Sequence, residues 1–325
     1  MGDILSLAAN NLLSPIILSF ALGLAAALAR SDLSIPEAVA KGLSIYLLFA
    51  IGFKGGVSVA SHGIDVTLGL TLVAGLVLSF VLPFVAYGLL RGLSSLSPTD
   101  AAATAGHYGS ISIVTFVAGT SVLQSQGIAA EGYMVAVAAV MEAPAILSAL
   151  WLAARGSGGT KIDATLWREI LLNGSIVLLV GAFLIGWATG TDGLAEIESF
   201  IVAPFKGVLC LFLLDMGLVA GRGLRGGRGV LGGGAIAFGL IMPPIGAAFG
   251  LVAALMLGLS PGGAVLLMTL SASASYIAVP AAMRVALPEA NPSVYLTLSL
   301  GVTFPFNLVI GIPAYVAVAT AVIGG

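Results

Sequence analysis

Residues 101–116 read AAATAGHYGSISIVTF, and residues 264–279 read AVLLMTLSASASYIAV. Each is an apolar stretch interrupted by a pair of hydroxyls, Ser110-Ile111-Ser112 in the first and Ser273-Ala274-Ser275 in the second. The serine pairs lie 163 residues apart in a chain of 325. The Ser-Pro dipeptides that open the two stretches, Ser97-Pro98 and Ser260-Pro261, are separated by the same distance. Working outward, GLSIYLLFAIGFKGG (42–56) lies over GVLCLFLLDMGLVAG (207–221) with glycine or leucine identities at four positions, and Phe20 and Gly23 fall on Phe183 and Gly186. An apolar chain whose halves are broken by polar residues at the same place predicts paired discontinuous helices, the architecture of secondary transporters.

Composition sets the solvent. The chain is 59% hydrophobic and 8% charged, with a mean hydropathy of +1.14. A soluble domain carries about 25% charge, so these residues predict an all-α polytopic membrane protein in a lipid bilayer. Net charge is −2 and no basic run is present, which excludes a nucleic-acid partner. One cysteine, Cys210, excludes a disulfide framework. No Lys/Arg-rich region precedes the first apolar run, so a cleaved signal peptide is not expected.

A span needs about 20 apolar residues. Ten candidates are present, at 11–29, 36–55, 66–90, 98–122, 132–154, 169–189, 199–221, 231–258, 261–284 and 293–321. The one sizeable polar interruption, from Arg155 to Arg168, divides them five and five. It gives repeat 1 over 1–156, a linker over 157–168 and repeat 2 over 169–325. Five is odd, so the second repeat is expected to enter the membrane inverted. Nine cations, from Arg30 to Arg284, fall on loops of one side, against Lys54 and Lys206 on the other. That bias puts the linker in the cytoplasm of an inner (plasma) membrane and both termini outside.

If both helices unwind at their serines, half-helix N-termini present positive ends to a small anion, while freed carbonyls and hydroxyls suit a monovalent cation. For a single serine the plainer reading is a back-bond to the i−4 carbonyl or helix–helix glue. A matched pair at the repeat interval favours the site. Glu142, two residues before Pro144, is an intramembrane carboxylate and a functional candidate by default. It is expected to bind a cation, to shuttle a proton, or to be a buried structural group. Asn307, just past Pro305, is a candidate amide ligand at the same level. Asp215 matches Ala50 in the other half and is expected to tie helices or to pair with Lys54 or Lys206. His107 lies three residues before Ser110, but an intramembrane serine protease draws nucleophile and base from different helices. No phosphate-cradling loop or metal-ligand cluster is present, which argues against a pump or a metalloenzyme.

SDLSIPEAVAKGLSIYLLFAIGFKGG, AAATAGHYGSISIVTF, YMVAVAAVMEAPAIL and SASASYIAVPAAMRVALPEANPSVYL together resemble the sodium-dependent bicarbonate transporter family of cyanobacterial type. The resemblance implies a core domain of spans 3–5 and 8–10, a gate or scaffold of spans 1, 2, 6 and 7, a homotrimer, and elevator-like symport of bicarbonate with Na+. It also implies that substrate ligands fall on Gly109, Ser110, Ser112, Ser273 and Ser275. Sodium ligands would fall on Ser110, Thr115 and Ser273, with Glu142 and Asn307 the candidates beside them. A PII-like cytoplasmic regulatory protein is the implied partner. Two departures stand out: Tyr276 occupies a position that is an aspartate in the family pattern, and the linker is short. Alternatives are a carrier of another small anion, a passive anion channel, and, least supported, an intramembrane hydrolase.

Overall fold

The computed structural model describes residues 13–63, 65–157, 172, 174–226, 231–276, 279–280, 282–283 and 287–324. Among these residues every regular element is a helix. They are α1 (Pro15–Leu28), α2 (Glu37–His62), α3 (Val66–Leu93), α4 (Pro98–Gly109), α5 (Ile113–Ser125), α6 (Met134–Val140), α7 (Pro144–Ser157), α8 (Gly174–Ile201), α9 (Phe205–Gly226), α10 (Gly233–Leu257), α11 (Pro261–Ala272) and α12 (Pro292–Ile323). Seven helical segments are long and apolar enough to cross a membrane, counting α6 and α7 as one, and α1 and α11 are shorter apolar helices. The chain is a multi-pass membrane protein. The linker expected at 157–168 falls, apart from Ser157, outside the described residues, as do the first residues of spans 1 and 6, Arg284 and Arg228.

The burial pattern is that of a protein in lipid. Val66, Val73, Val77, Phe80, Val252 and Met256 face outward, while Ser79, Thr104, His107, Glu142, Thr303 and Asn307 are buried. With no water to pair backbone groups, polar side chains belong inside the bundle.

Two long contacts involve the paired glycines of the sequence. α2 runs along α8, with Gly52 and Gly56 against the backbones of Leu179 and Phe183, and Gly186 against Phe53. α1 runs along α9, with Gly23 against Leu214, Gly217 against Phe20 and Gly221 against Leu24 and Ala27. A side chain at these glycines would meet the facing helix, and small residues are what lets membrane helices approach so closely. The glycines of each contact are the sequence counterparts of those in the other. α8 turns at Gly190, whose φ of 59° lies in the left-handed region. Helix continues beyond this kink to Ile201, and the apolar span runs over Val177–Ile201.

The remaining helices pack as a second group: α3 against α4, α7 and α10, α10 against α11, and α11 against α5 and α12. Serine caps and N1 prolines start the two broken spans. The Ser97 hydroxyl accepts from Asp100 N at 3.0 Å, and the Ser260 hydroxyl from Gly263 N at 3.0 Å, an arrangement worth about 1 kcal/mol each. Carboxylates then fasten both starts to distant loops. Asp100 accepts from Asn291 N at 2.8 Å. Glu131 accepts from Ser260 N at 2.7 Å and from the Ser260 hydroxyl at 2.9 Å. Gly263, the counterpart of Asp100, has no side chain because the Glu131 carboxylate fills that space.

Two features of the spans differ from expectation. Span 5 is a broken helix, interrupted over Met141-Glu142-Ala143 between α6 and α7. The Ser79 hydroxyl of α3 repairs the break, donating to Met141 O at 2.6 Å and accepting from Ala145 N at 3.2 Å. Lys54, expected near the end of span 2, lies well inside α2, which continues to His62. A Lys-Gly-Gly sequence reads as the end of a span, but here both glycines are helical and packed against neighbours.

Candidate functional site

The helix breaks at the two serine pairs are both present. α4 ends at Gly109, residues 110–112 are irregular, and α5 starts at Ile113. α11 ends at Ala272, and residues 273–275 are likewise irregular. The segments cross. Ser112 N donates to the Ser273 hydroxyl at 2.9 Å, and Ser275 N donates to His107 O at 2.7 Å. The second segment thus supplies an acceptor for the backbone of the first and a donor for the end of α4, as buried backbone in lipid requires. The second serine of each pair caps the backbone on its C-terminal side. The Ser112 hydroxyl accepts from Thr115 N at 3.2 Å and from the Thr115 hydroxyl at 2.9 Å, and the Ser275 hydroxyl accepts from Val279 N at 3.5 Å.

Glu142, in the break between α6 and α7, completes the cluster. Ser110 donates to its carboxylate at 3.1 Å, and both residues are buried. The substrate and sodium candidates Ser110, Ser112, Thr115, Glu142, Ser273 and Ser275 are thus brought together from three irregular or capping segments. A small cavity of about 10 Å3 lies among Ser112, Glu142, Ser275, Tyr276 and Leu48, room for one water-sized species. The Tyr276 hydroxyl is buried, and its ring packs edge-on to Phe304, with centroids 5.5 Å apart.

Two candidates have other work. Gly109 sits where α4 touches α3, and a side chain there would collide with Pro83 and Ser79 O. Asn307 has both ends of its amide engaged: Nδ2 donates to Ala272 O at 2.9 Å, and Oδ1 accepts from the Tyr315 hydroxyl at 2.9 Å. It closes the end of α11. Around it α12 relaxes into π-helical turns over Thr297–Thr303 and Asn307–Gly311, on either side of Phe304–Phe306. Such turns are frequent at functional sites, and composition gives no sign of them. Thr303 links across them, with the Tyr108 hydroxyl at 2.7 Å and Gly239 O at 2.7 Å.

His107 and Ser110 form no catalytic pair. The His107 ring lies 2.8 Å from Ala103 O through Nδ1 and stacks on Tyr295, while the Ser110 hydroxyl is taken by Glu142. Asp215 is buried in α9.

The family model for the Na+-dependent bicarbonate transporter superfamily matches residues 15–320. The chain belongs to that superfamily. No curated protein matches it as a relative. Membership covers both breaks, the Glu142 segment and all twelve helices. It places the chain among Na+-dependent bicarbonate transporters. Among the described residues no cluster of three His, Cys, Asp or Glu side chains is present. The donors gathered at the breaks are oxygens, one carboxylate with several hydroxyls, and oxygen ligands are those that hard cations prefer.

Proposed function

We propose that this chain is a sodium-coupled symporter that imports bicarbonate, with both ions bound between the breaks of spans 4 and 9. The observation that carries this reading is the crossed pair of irregular segments with Glu142 beside them. Na+ is assigned to Ser110, Thr115, Glu142 and Ser273, where one negative charge compensates the cation and hydroxyl oxygens replace water. Bicarbonate is assigned to Gly109, Ser110, Ser112, Ser273 and Ser275, facing the capped N-terminus of α5, whose dipole favours an anion. Asn307 acts at this site by closing α11.

The corresponding glycine contacts of α1–α9 and α2–α8 support ten spans in two inverted repeats, divided at the linker. They also support spans 1, 2, 6 and 7 as the gate. Spans 3–5 and 8–10 would then form the core that carries the site in an elevator-like movement. The cavity at the breaks, about 10 Å3, is too small for bicarbonate, so in this reading the core opens before the anion enters. The family pattern and cation bias favour a homotrimer in the plasma membrane, with both termini outside and a PII-like protein as cytoplasmic regulator.

Uptake of labelled bicarbonate into proteoliposomes tests the reading. Accumulation that requires an inward sodium gradient is expected. Sodium-independent equilibration would indicate a passive anion channel, and sodium-driven uptake of another small anion alone would keep the coupling and replace the substrate.

A further inference from the structure

A cavity of about 310 Å3 lies between α2, α5 and the loop over residues 128–132. Ile51 and Lys54 of α2, Phe116, Thr120 and Gln124 of α5, and Phe205 line it. This cavity and the one at the breaks are lined from neighbouring positions of the same two chain segments. Leu48 and Ile113 line the break cavity, and Ile51 and Phe116, each three residues on, line the larger one. Residues three apart share a helix face. Lys54 stands about 9 Å of helical rise beyond Leu48. Further out, residues 129–132 are shared with a third cavity of about 380 Å3 bounded by Gly63, Asp65 and Ser260.

Lys54 is half-buried, and its ammonium lies 4.4 Å from the centroid of the Phe205 ring. Glu131 also lines the 310 Å3 cavity, opposite in charge to Lys54, and is held by hydrogen bonds at the cavity wall. Both oxygens of Glu131 accept from Ser260, and Asp65 accepts from Leu68 N. On the other side of α5, Lys206 lines a further cavity of about 210 Å3 with Ser14, Ser125 and Cys210, and Ser121 borders both spaces. A cation in an apolar span is a functional position by default, and here two lysines flank one helix of the site.

We propose that Lys54 makes the 310 Å3 cavity a staging site for a small oxyanion, which is held there before it reaches the breaks. The proposal rests on the symport reading for the identity of that anion. The cavity has space for a hydrated ion, since one water needs only about 10–15 Å3. Phe116 and Ile51 form its apolar wall on the side of the break, where the anion sheds water. Lys54 offsets that loss with a charge supplied by the gate rather than by the core.

The test reads local potential and occupancy apart from transport. Cys210, the single cysteine, is replaced by serine, and Thr120→Cys places a thiol in the cavity, with Gln124→Cys as a second position. The full-length protein in liposomes is then treated with a negatively charged sulfonate and a positively charged ammonium methanethiosulfonate reagent. Lys54→Met is expected to lower the sulfonate-to-ammonium rate ratio about tenfold, as loss of one nearby charge in a partly screened site should, and Lys54→Arg to keep it. Bicarbonate or formate should slow labelling when Lys54 is present and not in Lys54→Met. In uptake, Lys54→Met should raise the bicarbonate KM severalfold with an unchanged maximal rate. An unchanged reagent ratio in Lys54→Met, or no protection by either anion in the parent, overturns the proposal. Protection by anions without sodium-driven bicarbonate uptake would uphold the staging site and reject the symport reading.

Discussion

The two helix breaks carry the same Ser-x-Ser motif and face different neighbours. At residues 110–112 the first serine donates to Glu142, and the second caps Thr115 and the start of α5. At residues 273–275 the first serine donates to Leu270 O at 2.9 Å and accepts from Ser112 N, while Asn307 seals the preceding helix end and Tyr276 comes next in the chain. The first break holds the charge. The second ties the crossing together through neutral groups. Matched motifs therefore do not imply matched roles: both supply candidate ligands, but the carboxylate stands beside the first alone.

Substitutions can break that distinction or sharpen it. The largest effect on transport is expected from Glu142→Gln, which keeps the shape and an acceptor for Ser110 but removes the negative charge. Sodium affinity should fall roughly 10- to 100-fold, the equivalent of a charged hydrogen bond, with folding retained on size exclusion. Sodium-dependent uptake that matches wild type would mean that Glu142 is a structural group. Next is Asn307→Ala, which strands the Ala272 carbonyl and the Tyr315 hydroxyl in a buried site. The expected loss is about 2–3 kcal/mol in stability, read as a lower unfolding temperature in detergent. A fall in sodium affinity at constant stability would instead make Asn307 a ligand.

Ser273→Ala and Ser110→Ala form the closest comparison. Removing the Ser273 hydroxyl leaves Ser112 N without its acceptor, so both stability, by about 1–3 kcal/mol, and uptake should drop. Ser110→Ala removes a donor to the buried Glu142 carboxylate but strands no backbone group, so uptake should weaken more, relative to the loss in stability, than in Ser273→Ala. The same ratio of uptake loss to stability loss in the two would erase the difference drawn here. Tyr276→Phe is the smallest change. Among the described residues its hydroxyl makes no hydrogen bond within 3.5 Å, so stability should hold within about 0.5 kcal/mol, and any shift in sodium dependence would mark that hydroxyl as part of the ion path.

Much of this arrangement is legible in the sequence, and the reasons are local. A serine pair in an apolar run, opened by Ser-Pro and repeated at a fixed interval, specifies a break because caps and released backbone act over a few residues. The glycines of 42–56 and 207–221 show their correspondence for the same reason, although which helices they join depends on tertiary packing. The interruption at Met141–Ala143 is only hinted at by Pro144, because the hydroxyl that repairs it comes from Ser79, a distant residue in sequence. The π-helical turns of α12 leave hydropathy unchanged and are invisible to it. Lys54 is misplaced by sequence pattern since glycines beside a lysine resemble a span end, and only the packing of Gly55 and Gly56 shows that the helix continues. The commitment of Asn307 to Ala272 and Tyr315 likewise rests on contacts that no spacing rule reaches.

The most direct measurement is equilibrium binding of labelled 22Na+ to purified protein, wild type against Glu142→Gln, with bicarbonate present. Saturable binding in wild type that is lost or strongly weakened in the variant is the predicted result. Identical isotherms for the two proteins would contradict a cation site at the first break.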